Sequence, residues 1–354
     1  MKNFLKVFCI LLHSIWIYPL SASGHKKPEI ASPSKAKKHN WKTAPAEKRV
    51  LRWQQRDAYK STAMPSTSTW KRSLTPRRSI FDRKNISALW IADSWDAKKR
   101  SSVERMQMLQ KLGLSKFAYN GSGPVDEEIE AAKKYGIEIT AFWYPERKLQ
   151  IVESIKRHGI HPQFWVAGLK SIKVTNEVER IEIEAARIRP IAEDAAALGC
   201  KVGLYNHREP WFEEQDHQIA IIERLRRDGL TNVGIVFNFH HWRGSLEEFP
   251  ELFKRVQPYL IALNLNGMSA NTMEYPNVRY IGSDVSELSM IRVVEASRWR
   301  GPVGIIHERP TLDAAEGIKN NLLGLEWVIK ELHKPGSGGQ KPQEPELNPK
   351  RVSN

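Results

Sequence analysis

KVGLYNHREPW at residues 201–211 and NVGIVFNFHHWRG at residues 232–244 are built to one design. Each opens with small and β-branched apolar residues and then turns abruptly to amides and imidazoles. Asn206 and His207 end the first run, and Asn238, His240 and His241 end the second. Continuously apolar strands of this kind are buried on both faces, as in parallel sheets, and the C-terminal ends of such strands carry the chemistry. Histidine is the usual proton carrier near neutral pH and a common metal ligand. These two strand ends therefore predict both the fold class and the location of a site.

The same alternation continues on either side. Apolar runs at 87–92, 115–119, 137–143, 160–166, 201–205, 232–237, 259–265 and 302–306 predict eight strands. Helical spacing at 102–112, 126–135, 148–158, 176–198, 212–228, 245–256, 287–298 and 312–333 predicts the intervening helices. Gly113, Gly136, Gly159, Gly199 and Gly229 stand just before the next strand, where left-handed helix C-caps are expected. Eight strand–helix units over roughly 250 residues predict an α/β fold of the (β/α)8 TIM-barrel type. No glycine-rich phosphate loop follows a strand, which argues against a doubly wound dinucleotide fold.

Residues 85–334 form the expected barrel. Residues 1–23 resemble a signal peptide: Lys2 and Lys6 precede an apolar stretch, and Ser21-Ala22-Ser23 offers a cleavage site, so the protein is expected to be exported. Residues 24–84 read as a disordered basic arm with 17 Lys and Arg against 4 Asp and Glu, suited to an anionic surface or to a solvated spacer. Residues 335–354 read as a disordered polar tail. Residues 85–354 carry 36 basic and 36 acidic side chains, so the net charge of +15 lies outside the barrel and no nucleic-acid partner is expected. Cys9 and Cys200 are the only cysteines, and loss of the signal would leave Cys200 alone, excluding an intrachain disulfide and a cysteine zinc site.

The predicted rim collects Asp93, Ser94, Trp95 and Asp96 after strand one, and Tyr119 and Asn120 after strand two. Strands three and four contribute Trp143, Tyr144, Glu146 and Trp165. Strands five and six add Asn206, His207, Arg208, Glu209, Asn238, His240, His241 and Trp242. Strands seven and eight add Asn264, Asn266, His307, Glu308 and Arg309. Aromatic faces with amides and acids suit a small carbohydrate. Trp95, Trp143, Trp165 and Trp242 are expected to line a sugar pocket with Asn206, Asn238 and Asn264. Glu308, His241 and His207 are the candidate catalytic residues. Strand alternation allows only one of His240 and His241 to face inward, and His241 is the choice.

At IEITAFW, VGLYNH, VGIVFNFHH, LIALNLNGM and GPVGIIHE the chain resembles the xylose isomerase-like TIM-barrel superfamily over about residues 86–332. That group includes sugar-phosphate isomerases and epimerases, ketose 3-epimerases, inosose dehydratases and family-2 abasic-site endonucleases. The nearest resemblance is to exported bacterial proteins of the sugar isomerase/epimerase-like kind. The resemblance implies proton transfer beside a carbonyl, between two glutamates, and one divalent cation held by Glu, Asp, His and Glu from strands five to eight. By position these fall near Gly203 or Tyr205, on Asn238 with His241 after it, on Asn264, and on His307 or Glu308. A cation such as Mn, Mg, Co or Zn would then rest on His241, Glu308 and His307, with His207 nearby. The alternatives are lyase or hydratase chemistry on an oxidised sugar, and a carbohydrate-binding barrel that has lost its metal.

Overall fold

The computed structural model describes residues 79–344, apart from Ser171, Arg208, residues 270–277, Val285 and the side chain of Asp93. The expected signal and nearly all of the expected basic arm lie outside the described residues, as does the tail beyond residue 344.

Eight strands close into a parallel barrel in chain order. They are β1 (Ile86–Leu89), β2 (Lys116–Tyr119), β3 (Glu138–Trp143), β4 (Gln163–Val166), β5 (Val202–Tyr205), β6 (Val233–Asn238), β7 (Leu260–Leu265) and β8 (Val303–Ile306). Between them run α1 (Ser102–Lys111), α2 (Val125–Lys134), α3 (Leu149–His158), α4 (Glu177–Ala197), α5 (Pro210–Glu213), α6 (Gln215–Arg227), α7 (Phe249–Val256) and α8 (Ser286–Ser297), and α9 (Ala314–His333) closes the ring. The helix expected over 212–228 is divided at Glu214, whose extended backbone separates α5 from α6. All five predicted C-cap glycines take positive φ, between 62° and 85°, a conformation that costs other residues strain.

Period-two alternation sorts the strand residues into two packing layers. Leu204, Ile235, Phe237, Leu263 and Ile305 face the helices and join the large outer core. Leu89, Ala141, Trp165, Tyr205, Val236, Ala262 and Ile306 face inward and fill the barrel. Space for those large inward side chains comes from glycine. A Cβ on Gly203 would lie 2.3 Å from Val236 and 2.9 Å from Trp165. One on Gly304 would lie 2.4 Å from Leu89 and 2.5 Å from Asn264 Oδ1.

The barrel's packing extends to both sides of the expected boundaries. Ile80 and Phe81 are buried in the outer core. Residues 335–344 lie against α9 and the β7 and β8 loops, where Glu331 accepts from the amides of Gly336 and Gly338 at 2.8 and 2.7 Å.

Candidate functional site

Strand β6 ends at Asn238, and the next three residues, Phe239–His241, form one 3-10 turn closed by the Trp242 amide on the Phe239 carbonyl. Strand alternation therefore does not apply to the two histidines, because a tight turn fans consecutive side chains rather than opposing them. Both imidazoles are buried, with ring centroids 3.8 Å apart. His240 Nε2 lies 3.2 Å from a Glu308 oxygen, and His241 Nδ1 lies 3.5 Å from Glu213 on α5. His207, on the loop after β5, brings its ring to 4.8 Å from His241 and 5.1 Å from Trp143.

Glu308 reaches His240 through a strained backbone. Its φ is +39°, and across the β1–β8 pairing Trp90 has a φ of +55°. Left-handed conformations cost bulky residues on the order of 1–3 kcal/mol and persist only where the surroundings enforce them. Both strained residues help to form the same constellation.

Trp90, Trp143 and Tyr205 meet edge to face, with centroids 5.2 to 5.8 Å apart. The Trp90 indole N–H donates to the Tyr205 hydroxyl at 3.2 Å. Trp95 packs partly buried against this group. Trp165 lies deeper, its ring 5.4 Å from Tyr205 and its indole donating to Gln163 at 2.8 Å. Trp242 stands apart, in the outer core against Phe249 of α7 at 5.2 Å.

The three predicted amides form a buried ladder. Asn238 and Asn264 are register partners on β6 and β7, so their side chains stand on the same inner face. Asn264 Nδ2 donates to Asn238 Oδ1 at 2.7 Å, and Asn238 Nδ2 donates to Asn206 Oδ1 at 2.8 Å. Asn206 Oδ1 also accepts from the Asn238 amide, and its Nδ2 donates to the Asn238 carbonyl. Asn206 thus joins β5 to β6 just beyond their last ladder bonds. Burial holds the Tyr205 phenol far above its ordinary range, an effect reinforced by the Glu308 charge, so the hydroxyl beside Asn264 stays protonated.

His307 does not join His241 and Glu308. Ile306 faces the lumen, so the next side chain turns outward, and a Cβ on Gly317 of α9 would stand 2.0 Å from His307 Nδ1. Burial pushes its imidazole down to about 4, with the Arg309 charge acting in the same direction. Among the described residues no three His, Cys, Asp or Glu side chains converge as metal ligands. Of the positions implied for a cation, Tyr205 offers a protonated phenol and Asn238 an amide oxygen already bonded. Asn264 Oδ1 accepts no hydrogen bond among the described residues but is neutral, and Glu308 faces His240. Mg needs several anionic or free oxygen ligands, and Zn or Mn at least three converging imidazoles or carboxylates, so among the described residues this donor set fits neither kind of cation.

Sequence reasoning missed Trp90, Glu213 and Tyr205's part in the wall, and set His240 aside in favour of His241. Trp90 reads as the interior of an apolar run, and Glu213 as one acid among several in a helix. Only the end point of β6 could have indicated that His240 faces inward.

No protein-family model and no curated protein matches the sequence. Solved structures do match it. The IOLI protein with a bound zinc atom superposes at a TM-score of 0.52 and 14% identity, over 70% of this chain and 99% of its own. The fold shared with these structures is the closed (β/α)8 barrel. The probable 3-DHS dehydratase AsbF from Bacillus anthracis matches at a TM-score of 0.52 and 16% identity, over 68% of this chain and 97% of its own. An L-ribulose 3-epimerase matches at 0.51 and 12%, over 73% of this chain and 99% of its own. Identities at this level establish the shared architecture.

Proposed function

We propose that this chain is an exported isomerase or epimerase acting on a sugar or polyol by proton transfer beside a carbonyl, without a bound cation. The observation that carries the proposal is the pair of imidazole–carboxylate contacts at one barrel mouth, His240 with Glu308 and His241 with Glu213. An imidazole whose conjugate acid is stabilised by a carboxylate is suited to take a proton from carbon, and such catalysis contributes about 10²–10⁴ in rate. The two imidazoles lie 3.8 Å apart and so address one face of a substrate, the arrangement for moving a proton between neighbouring carbons. In this reading His240 takes the proton, Glu308 stabilises the imidazolium, and His241, oriented by Glu213, supplies a proton to the substrate. Trp143, Trp95 and His207, all partly exposed, border the mouth and offer faces to sugar C–H groups.

The L-ribulose 3-epimerase shares this architecture and motivates the substrate class. Export rests on residues 1–23, and the balanced charge of residues 85–354 favours a small neutral ligand over nucleic acid. The Asn206–Asn238–Asn264 ladder favours a second reading, a carbohydrate-binding barrel without turnover.

A panel of aldoses, ketoses, keto-sugars and polyols, read by thermal shift and by proton exchange with deuterated water, separates the two. Glu308→Gln and His240→Ala are expected to lower exchange by about a hundredfold or more while ligand affinity stays within about threefold. Full exchange in both variants would overturn the assignment. Sugar binding with no exchange in the wild type would leave the binding reading standing.

A further inference from the structure

Arg309 follows Glu308 and is itself nearly buried, with 8% of its side chain exposed. A guanidinium at that depth requires an anion, because an unpaired buried charge costs several kcal/mol. Its partner comes from the polar tail. Glu344 pairs with Arg309 through one oxygen, and its other oxygen accepts from the Tyr280 amide at 2.7 Å. The guanidinium lies 4.3 Å over the Tyr280 ring and donates to the Val278 carbonyl at 2.9 Å. Arg309 Nη1 is buried with no hydrogen-bond partner among the described residues. A planar cation, a peptide N–H and an unused donor together make a seat for a carboxylate.

The seat does not stand alone. A cavity of about 540 Å³ lies between α9 and residues 338–344, lined by Tyr280, Asn320, Trp327, Lys330, Lys341 and Glu344. That volume is within the range of small-molecule sites. Its walls offer an aromatic face at Trp327, an amide at Asn320 and two ammonium groups, which suit hydroxyls on a short chain or ring.

We propose that Arg309 and the Tyr280 amide form a binding site for a polyhydroxy carboxylate, a sugar acid, which the chain's own Glu344 occupies in this conformation. Glu344 lies in the polar tail, of which residues 335–344 have no regular secondary structure and are held by this contact and by Glu331. A tethered carboxylate acts at an effective concentration on the order of millimolar, so a free ligand has to compete with it.

The test is calorimetric titration of the full chain with sodium D-gluconate, D-glucose and inorganic phosphate. Glu344→Ala is expected to bind gluconate about tenfold more tightly than the wild type, and to bind neither glucose nor phosphate comparably. Adding Arg309→Lys is expected to remove the gain, since an ammonium lacks the guanidinium fork. Equal gluconate affinity in the wild type and Glu344→Ala would overturn the proposal. Phosphate binding as tight as gluconate would overturn the carboxylate assignment, and equal binding of glucose would show that the seat is not used.

Discussion

His307 offers a quantitative test of which way the end of β8 faces. Its imidazole is 1% exposed, packed on Gly317 of α9, and pushed by burial from 6.5 down to about 4. Between those values the unfolded chain binds a proton that the native state refuses. The contribution is therefore fully present above pH 6.5 and is lost as pH falls toward 4. At about 1.4 kcal/mol per unit the whole window is worth about 3 kcal/mol, of which about 2 kcal/mol is gone by pH 5. Glu287 acts in the opposite sense. Burial pushes its carboxyl from 4.5 up to about 7 although it accepts from the Met268 and Gly282 amides, so acidification over the same range favours the folded state. The wild-type profile mixes the two, and the difference between wild type and His307→Gln isolates the histidine. Urea unfolding followed by tryptophan fluorescence at pH 7.5, 6 and 5 is the assay, with an unchanged m-value as the control. His307→Gln is expected to gain about 2 kcal/mol relative to wild type between pH 7.5 and pH 5. Parallel pH profiles for the two proteins would refute the outward, desolvated placement.

Other outcomes follow from the same packing. Gly317→Ala improves helix propensity but puts a methyl 2.0 Å from His307 Nδ1, and a net loss of about 1–3 kcal/mol is expected in the same unfolding assay. Asn238→Asp removes the donor to Asn206 Oδ1 and buries a charge beside two amide oxygens, so about 2–4 kcal/mol should be lost at pH 7.5. Dialysis against EDTA should leave the wild-type melting temperature within about 1 °C, because the rim donors do not fit a cation; a larger drop would show that a stabilising ion had been removed.

The fold was legible because its signals are local. Apolar runs such as VGLY and VGIVF read as doubly buried strands, and a glycine before each of five strands marks a helix end whose positive φ the structure bears out. Helix limits were less sharp: Glu214 breaks one expected helix, and α7 begins at Phe249 with Pro250 in its first turn. The site was half legible. Residue types at strand ends pointed to the rim, and His207, His241, Glu308 and Trp143 do meet there. Trp242 and His307, chosen on the same grounds, face the outer layer instead.

The sequence by itself determined the eight-unit alternation and the clustering of imidazoles, amides and aromatics after the strands, because burial pattern and cap chemistry are written in neighbouring residues. Only the tertiary structure decided which of those groups face one another. Alternation along a strand sends the side chain after an inward one to the opposite layer, as at Ile306 and His307. A tight turn in place of a strand brings two adjacent histidines to one place, as at His240 and His241. Where a strand stops is set by its neighbours across the barrel, and those contacts join residues far apart in the chain.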